Sequence, residues 1–225
     1  MARKYTEHSS LHPYHITIRA NSGQWFGLRS EQSWQIFSDY LYFISRAYEV
    51  KIHAFVMMSN HLHLIASFPQ RNLSDALERF LTETSRVINF ERNTVNHVYG
   101  RRYRASIIRY EQYYASAYRY VLNNPVRANL CERAEQYPFS SLYRQLGFLH
   151  LGFPVHEWPS LIVPELTDIE NLLSWLKINT DSKLNKEIKI ALKRTEFKFS
   201  GTQLERLGFF IPTYEKELTR IGAAL

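Results

Sequence analysis

Two imidazoles separated by one apolar residue, His61 and His63 in the run Met58-Ser59-Asn60-His61-Leu62-His63-Leu64-Ile65, are the side chains here best suited to chemistry. In a β-strand successive side chains point to opposite faces, so both rings would project together while Leu62, Leu64 and Ala66 enter a core. Such a pair makes half of a metal site, although an H-x-H alone is also what two exposed or core-satisfied histidines look like. The second candidate is Tyr120-Val121-Leu122-Asn123-Asn124-Pro125, at the end of a helical stretch that begins near Glu111. Residues four apart share a helix face, so the Tyr120 phenol and the Asn124 carboxamide look the same way. Pro125 is expected to push Asn124 out of regular helix and to close the segment there. Tyr113, Tyr114 and Tyr118 share the helix and read mostly as packed aromatics, with Tyr113, on the Tyr120 face, as the reserve phenol.

A net charge of +7 and a pI near 9.4 acquire meaning only from their location. Between Arg86 and Arg127 there are eight arginines, two acids and no lysine. Arginine's planar fork grips phosphate oxygens bidentately, reads guanine edges and stacks on bases. Arg86, Arg101, Arg102, Arg104, Arg109, Arg119 and Arg127 are therefore the expected nucleic-acid contacts, with Arg119 equally able to be buried against its own helix. Tyr103 joins them, one of several tyrosines (Tyr99, Tyr103, Tyr110, Tyr113, Tyr114) interleaved with the charges and able to stack on unpaired bases. Single-stranded nucleic acid is the partner this pattern suggests; a basic loop with packed tyrosines is the plainer alternative.

The elements that must position these groups follow from periodicity. Tyr14 to Ala20 alternates as a first strand, and Ser30 can cap a helix whose apolar stripe is Trp34, Phe37, Leu41, Ile44 and Tyr48. Val50 to Met58 is a second strand, Ser59-Asn60 a tight connection, and His61 to Phe68 the third strand. A helix after Pro69 turns Leu73, Leu77, Phe80, Leu81 and Ile88 inward, and Arg104 to Tyr110 is the fourth strand. The order β-α-β-β-α-β predicts an α+β ferredoxin-like antiparallel sheet with two helices on one face, an added tyrosine-bearing helix and a C-terminal helical extension. The histidines would look out from the uncovered face, within reach of Tyr120. We divide the chain into 1–145, the functional domain, and 146–225, a linker followed by short helices over 166–178, 183–194 and 202–207. That extension reads either as a small helical binding or regulatory unit or as packing on the sheet.

The histidine strand and Arg119-Tyr120-Val121-Leu122-Asn123-Asn124-Pro125-Val126-Arg127-Ala128 resemble the single-tyrosine HUH transposases, and within them the REP-associated tyrosine transposase branch. Tyr14-His15-Ile16-Thr17, residues 55–63 and 99–108, and Tyr137-Pro138-Phe139-Ser140-Ser141 agree in order and spacing, so the resemblance covers roughly residues 12–145. Ser59, Gly100 and Phe139 depart from the family's usual proline, glutamine and tryptophan, and none removes a group that the chemistry needs. The resemblance implies Tyr120 as nucleophile, Mg²⁺ or Mn²⁺ held by His61, His63 and Asn124, and a 5′-phosphotyrosine intermediate on single-stranded or REP-type hairpin DNA. It implies that Tyr120 serves either its own subunit's histidines or a partner's, with the REP-associated branch leaning towards a monomer over a dimer. His15 reads as structural more readily than as a contact, and Asn60 as shaping the strand connection.

Competing classes are narrowed by composition. The single Cys131 excludes an internal disulfide framework, the N-terminus leads into no apolar signal segment, and no apolar run is long enough to span a bilayer, so no membrane association and a cytoplasmic location are expected. No G-x-x-x-x-G-K-[ST] loop is present, so no nucleotide cofactor is expected. A histidine-triad phosphohydrolase would need another alternating histidine where Ile65 stands. The remaining alternative is a non-catalytic protein of the same fold that binds hairpin DNA or RNA.

Overall fold

The computed structural model describes residues 7–21, 25–100, 102–157, 169–177 and 182–198. Strand β1 (Tyr14–Arg19), helix α1 (Ser30–Ala47), strands β2 (Lys51–Met57) and β3 (His61–Ser67), helix α2 (Leu73–Glu91) and strand β4 (Arg104–Ile107) follow in the order β-α-β-β-α-β. The sheet is antiparallel throughout, with strand order β2-β3-β1-β4, and the fold is α+β. On one face Phe37, Leu41 and Ile44 of α1 and Leu73, Leu77 and Phe80 of α2 close over Ile16, Ile18, Leu62 and Leu64. Thr84 also turns inward on α2, its hydroxyl donating to the Phe80 carbonyl at 2.7 Å and meeting the Tyr99 hydroxyl at 2.6 Å. The cap of α1 is Arg29 rather than Ser30: its backbone N–H donates to the Gln32 side chain at 3.3 Å, and Ser30 is already the first helical residue.

Strand β2 cannot satisfy both of its large apolar residues by simple alternation, because Ile52 and Phe55 are three apart. A bulge between Ile52 and Ala54 resolves the conflict by shifting the register by one residue. Ile52, Phe55 and Met57 thereby face α1 and α2, whereas Ala54, Val56 and Met58 face the other side. The displaced His53 is buried, hydrogen-bonded through Nδ1 to the His156 carbonyl and through Nε2 to Ser67 Oγ, each at 2.8 Å.

That other side is not an open face. Helix α3 (Glu111–Leu122), the short turn α4 (Asn124–Arg127), α5 (Ser141–Gln145), α6 (Ile169–Lys177) and α7 (Ser182–Ala191) contribute to a second core with Ala54, Val56 and Ile65 of the sheet. Pro125 does not end the segment at Asn124 either. The chain breaks at Asn123, and Pro125, which needs no backbone donor at a helix start, sits in the first turn of α4. The expected helices over 166–178 and 183–194 correspond to α6 and α7, and 202–207 lies outside the described residues. The extension packs on the sheet: Ile107 N–H donates to the Thr195 carbonyl at 2.9 Å, Phe197 N–H to the Ile107 carbonyl at 2.8 Å, and the Phe197 ring is fully buried. Among the described residues no helix is long and apolar enough to cross a membrane.

Burial pushes His15 down to about 3 and His53 and His61 to about 4, and holds His63 well below the ordinary imidazole value. A histidine kept neutral in the fold binds fewer protons than it does unfolded, so its contribution is present above pH 6.5 and is lost as pH falls toward the folded value. Each group should remove about 1.4 kcal/mol per pH unit over that window. Urea unfolding is expected to show a clearly lower midpoint at about pH 5 than at about pH 7.5, and an unchanged midpoint would contradict neutral burial.

Candidate active site

A cleft of about 790 Å³ opens where β1 and β3 run beneath the end of α3. Its floor follows from strand pairing: Thr17 lies opposite His63 and Arg19 opposite His61, so β1 residues of one parity and the H-x-H pair share a face. Tyr120 and Asn124 enter from α3 and α4, Gly100, Arg102 and Arg104 from the segment leading into β4, and Lys189, Leu192 and Lys193 from α7 and the turn after it. Gly100 allows this enclosure, because a Cβ there would lie 3.0 Å from the Asn21 backbone.

Each imidazole is oriented by a neighbour. His61 Nδ1 meets Asn60 Oδ1 at 2.7 Å, which places its proton on Nδ1 and leaves Nε2 as the lone pair facing Asn124 Nδ2 at 3.3 Å. His63 Nδ1 meets His15 Nε2 at 2.8 Å, with Thr17 Oγ1 3.4 Å from both, and the His61 and His63 rings stand nearly perpendicular, 5.1 Å apart. Desolvation is the largest cause of the lowered imidazole values, reinforced at His61 by Arg19 and Lys189 and at His63 by His15, His61, Arg127 and Arg19. Both rings are therefore neutral at pH 7, the state that can ligate a cation.

Tyr120 is held as closely. Its ring stands edge-on to His63 with centroids 6.2 Å apart, and the Arg127 guanidinium lies over its face at 3.9 Å. Arg127 also donates to the Tyr120 carbonyl at 2.6 Å and to Asn124 Oδ1 at 3.4 Å, joining α3 to α4 across the break at Asn123. A cation on the ring face favours negative charge developing on the phenol oxygen. Arg127, expected as a nucleic-acid contact, is partly buried and is engaged by Tyr120 and Asn124, so it positions the tyrosine.

The donor set fits a loosely held divalent cation. It would comprise His61 Nε2, His63 Nε2 and, after a half-turn of the amide, Asn124 Oδ1. Among the described residues no three His, Cys, Asp or Glu side chains gather into a metal site, and no carboxylate lines the cleft. An anionic substrate would have to balance the charge of a bound cation.

Of the remaining expected contacts, Arg102 and Arg104 line the cleft, and Arg101 lies outside the described residues. The others are elsewhere. Arg86 pairs with Glu83 on α2, beyond the opposite face of the sheet. Arg109 pairs with Glu7 and Glu196, pinning both ends of the described chain to the domain. Arg119 stacks on Trp175 of α6 at 5.2 Å. Tyr103 is buried with its hydroxyl 3.3 Å from Ser74 Oγ, and Tyr113 packs on Phe197; of the interleaved tyrosines only Tyr110 is exposed. Sequence reading undervalued His15 and missed Thr17 and Arg19, which alternation along β1 would have placed with it. It also missed Lys189 and Lys193, whose nearly charge-balanced segment gave no signal.

Residues 8–124 match the model of the family described as "Transposase IS200 like". Among solved structures the chain is similar to a REP-associated tyrosine transposase bound to a REP hairpin, with 18% identity over 70% of this chain and 93% of that one, at a TM-score of 0.55. That likeness is one of fold. No curated protein matches the chain.

The His15–His63 contact permits two proton arrangements, and only the one with the proton on His63 Nδ1 frees Nε2 for a cation. With Mg²⁺ and a single-stranded oligonucleotide present, long-range ¹H–¹⁵N correlation should show His63 protonated at Nδ1. A proton retained on Nε2 would remove that atom from the ligand set.

Proposed function

The chain belongs to the family of IS200-like transposases, and from that premise we propose that it is a single-tyrosine HUH enzyme that nicks and rejoins single-stranded DNA through Tyr120. The observation that carries this reading is the convergence of Tyr120, His61, His63 and Asn124, drawn from β3, α3 and α4, on one cationic cleft. Arg102 and Arg104 at its rim hold the DNA backbone. The Tyr120 oxygen attacks the phosphorus as its proton passes to solvent, the bond to the 3′ oxygen breaks, and that oxygen takes a proton from solvent, so the products are a 5′-phosphotyrosine and a free 3′-hydroxyl. One ester replaces another, so rejoining needs no nucleotide. Arg127 over the Tyr120 ring holds the phenol beside the two imidazoles. Mg²⁺ or Mn²⁺, held by His61, His63 and Asn124, would supply Lewis-acid polarisation of the phosphate.

Hairpin DNA of the REP type is the substrate we favour, since the structurally similar transposase is bound to such a hairpin. The phenol and both imidazoles meet within one chain, which supports a monomer acting through its own tyrosine. We read residues 1–145 as the catalytic domain and 146–225 as an extension packed on it. A hairpin-binding protein without cleavage would have no use for a tyrosine braced by Arg127 beside two oriented imidazoles.

Incubated with Mn²⁺ and a hairpin oligonucleotide labelled downstream of the nick, the protein should become covalently labelled. Tyr120→Phe should abolish the label while binding persists. The double replacement of His61 and His63 by Ala should lower attachment at least about 100-fold with affinity largely kept, because phosphate contacts dominate binding. Attachment surviving Tyr120→Phe would move the nucleophile to another residue.

A further inference from the structure

The extension does more than cover the sheet, because α7 faces the cleft as well as the second core. Ile188, Ala191 and Leu192 are buried in that core, while Lys189 on α7 and Lys193 in the turn after it line the cleft. Their placement is rigidly set. Just beyond them Thr195 and Phe197 hydrogen-bond Ile107 of β4, and one helix earlier the Leu176 carbonyl accepts from Asn123 Nδ2 at 3.1 Å. Lys189 lines the same cleft as His61.

With Arg19, Arg102 and Arg104, these two lysines bring five cationic side chains to one cleft that, among the described residues, no carboxylate lines. Neither lysine forms an ion pair among the described residues, and the acid nearest in sequence that does, Glu196, is engaged by Arg109 and Lys198. Like charges gathered around a concave surface repel one another unless an anion enters. The cations come from three places in the fold, β1, the start of β4 with the segment before it, and α7 with the turn after it, and an extended anion can engage all three. Consecutive phosphodiesters of an unpaired strand are such an anion.

We propose that α7 is a wall of the nucleic-acid site, with Lys189 and Lys193 holding backbone phosphates of the single-stranded DNA that flanks the bond attacked by Tyr120. This rests on the functional reading above, and adds to it a contact from outside the stretch, residues 8–124, that matches the family. The contact serves the flank and not the duplex, since the cleft surrounds the reacting tyrosine. Lysine suits such a contact, because a mobile ammonium follows a flexible backbone without demanding one base or one phosphate geometry.

The test uses the full chain carrying Tyr120→Phe, so that no DNA is consumed, and measures affinity across salt concentrations for a REP-type hairpin with and without an oligothymidine flank. Adding Lys189→Gln and Lys193→Gln should reduce the slope of log affinity against log salt by about 1.4 for the flanked hairpin, about 0.7 per lost phosphate contact. Between about 50 and 200 mM salt the variant should lose about sevenfold less affinity than its parent. Binding of the unflanked hairpin should not change, Lys186→Gln on the same helix should change neither, and Lys189→Arg with Lys193→Arg should keep the parent slope. Equal thermal melting of parent and variant will separate contact loss from unfolding. A parent slope retained by the glutamine variant, or an equal loss on the unflanked hairpin, would overturn the proposal and leave the proposed function standing. A parent that gains nothing from the flank would instead overturn the single-strand reading, and this inference with it.

Discussion

The antiparallel register of β1 against β3, with Thr17 opposite His63 and Arg19 opposite His61, is the constraint on which the site depends. Side chains alternate with a period of two, so a slip of one residue would send both imidazoles into the core beneath α1 and α2 and bring Leu62 and Leu64 to the cleft. That slip is prevented from both sides of the sheet. Ile16, Ile18, Leu62 and Leu64 are fully or almost fully buried on one face, and Ile65 is fully buried on the other. The bulge at Ile52 and Ala54 keeps β2 in step with the same division, so all three neighbouring strands agree on which face carries chemistry.

Burial does two jobs in the cleft that pull against each other. It strips water from His15, His61 and His63 and so keeps them neutral, which suits rings that are to present lone pairs. It also sets those rings among Arg19, Arg127 and Lys189, whose positive charges would resist a metal ion arriving alone. The two effects are compatible if metal and anionic DNA arrive together, because each then neutralises what the other would find repulsive.

Packing against the second face is what turns a histidine strand into an enclosed site. Helix α3 could approach the sheet in many ways on its own. It is set by Arg127, which bridges the Tyr120 carbonyl and Asn124, by Arg119 stacked on Trp175, and by the Phe197 and Leu192 side chains beneath it. The extension is therefore structural for the tyrosine helix at the same time as it brings two lysines to the cleft rim.

Element order and the parity of His61 and His63 were legible in the sequence, because each depends on a local repeat of two or 3.6 residues that neighbouring side chains declare, whereas Tyr120 and Asn124 meet in the cleft across a helix break at Asn123. The duties of the arginines were not. Arg104 and Arg109 are five residues apart in one basic run, yet one lines the cleft and the other is bound by Glu7 and Glu196, partners far away in the chain. Tyr103 and Tyr113 look like stacking platforms until their neighbours, Ser74 and Phe197, arrive from other elements to bury them. The covering of the histidine face, the support of His63 by His15 and the two lysines of α7 were likewise settled only by tertiary structure, since a contact between residues distant along the chain leaves no periodic trace in it.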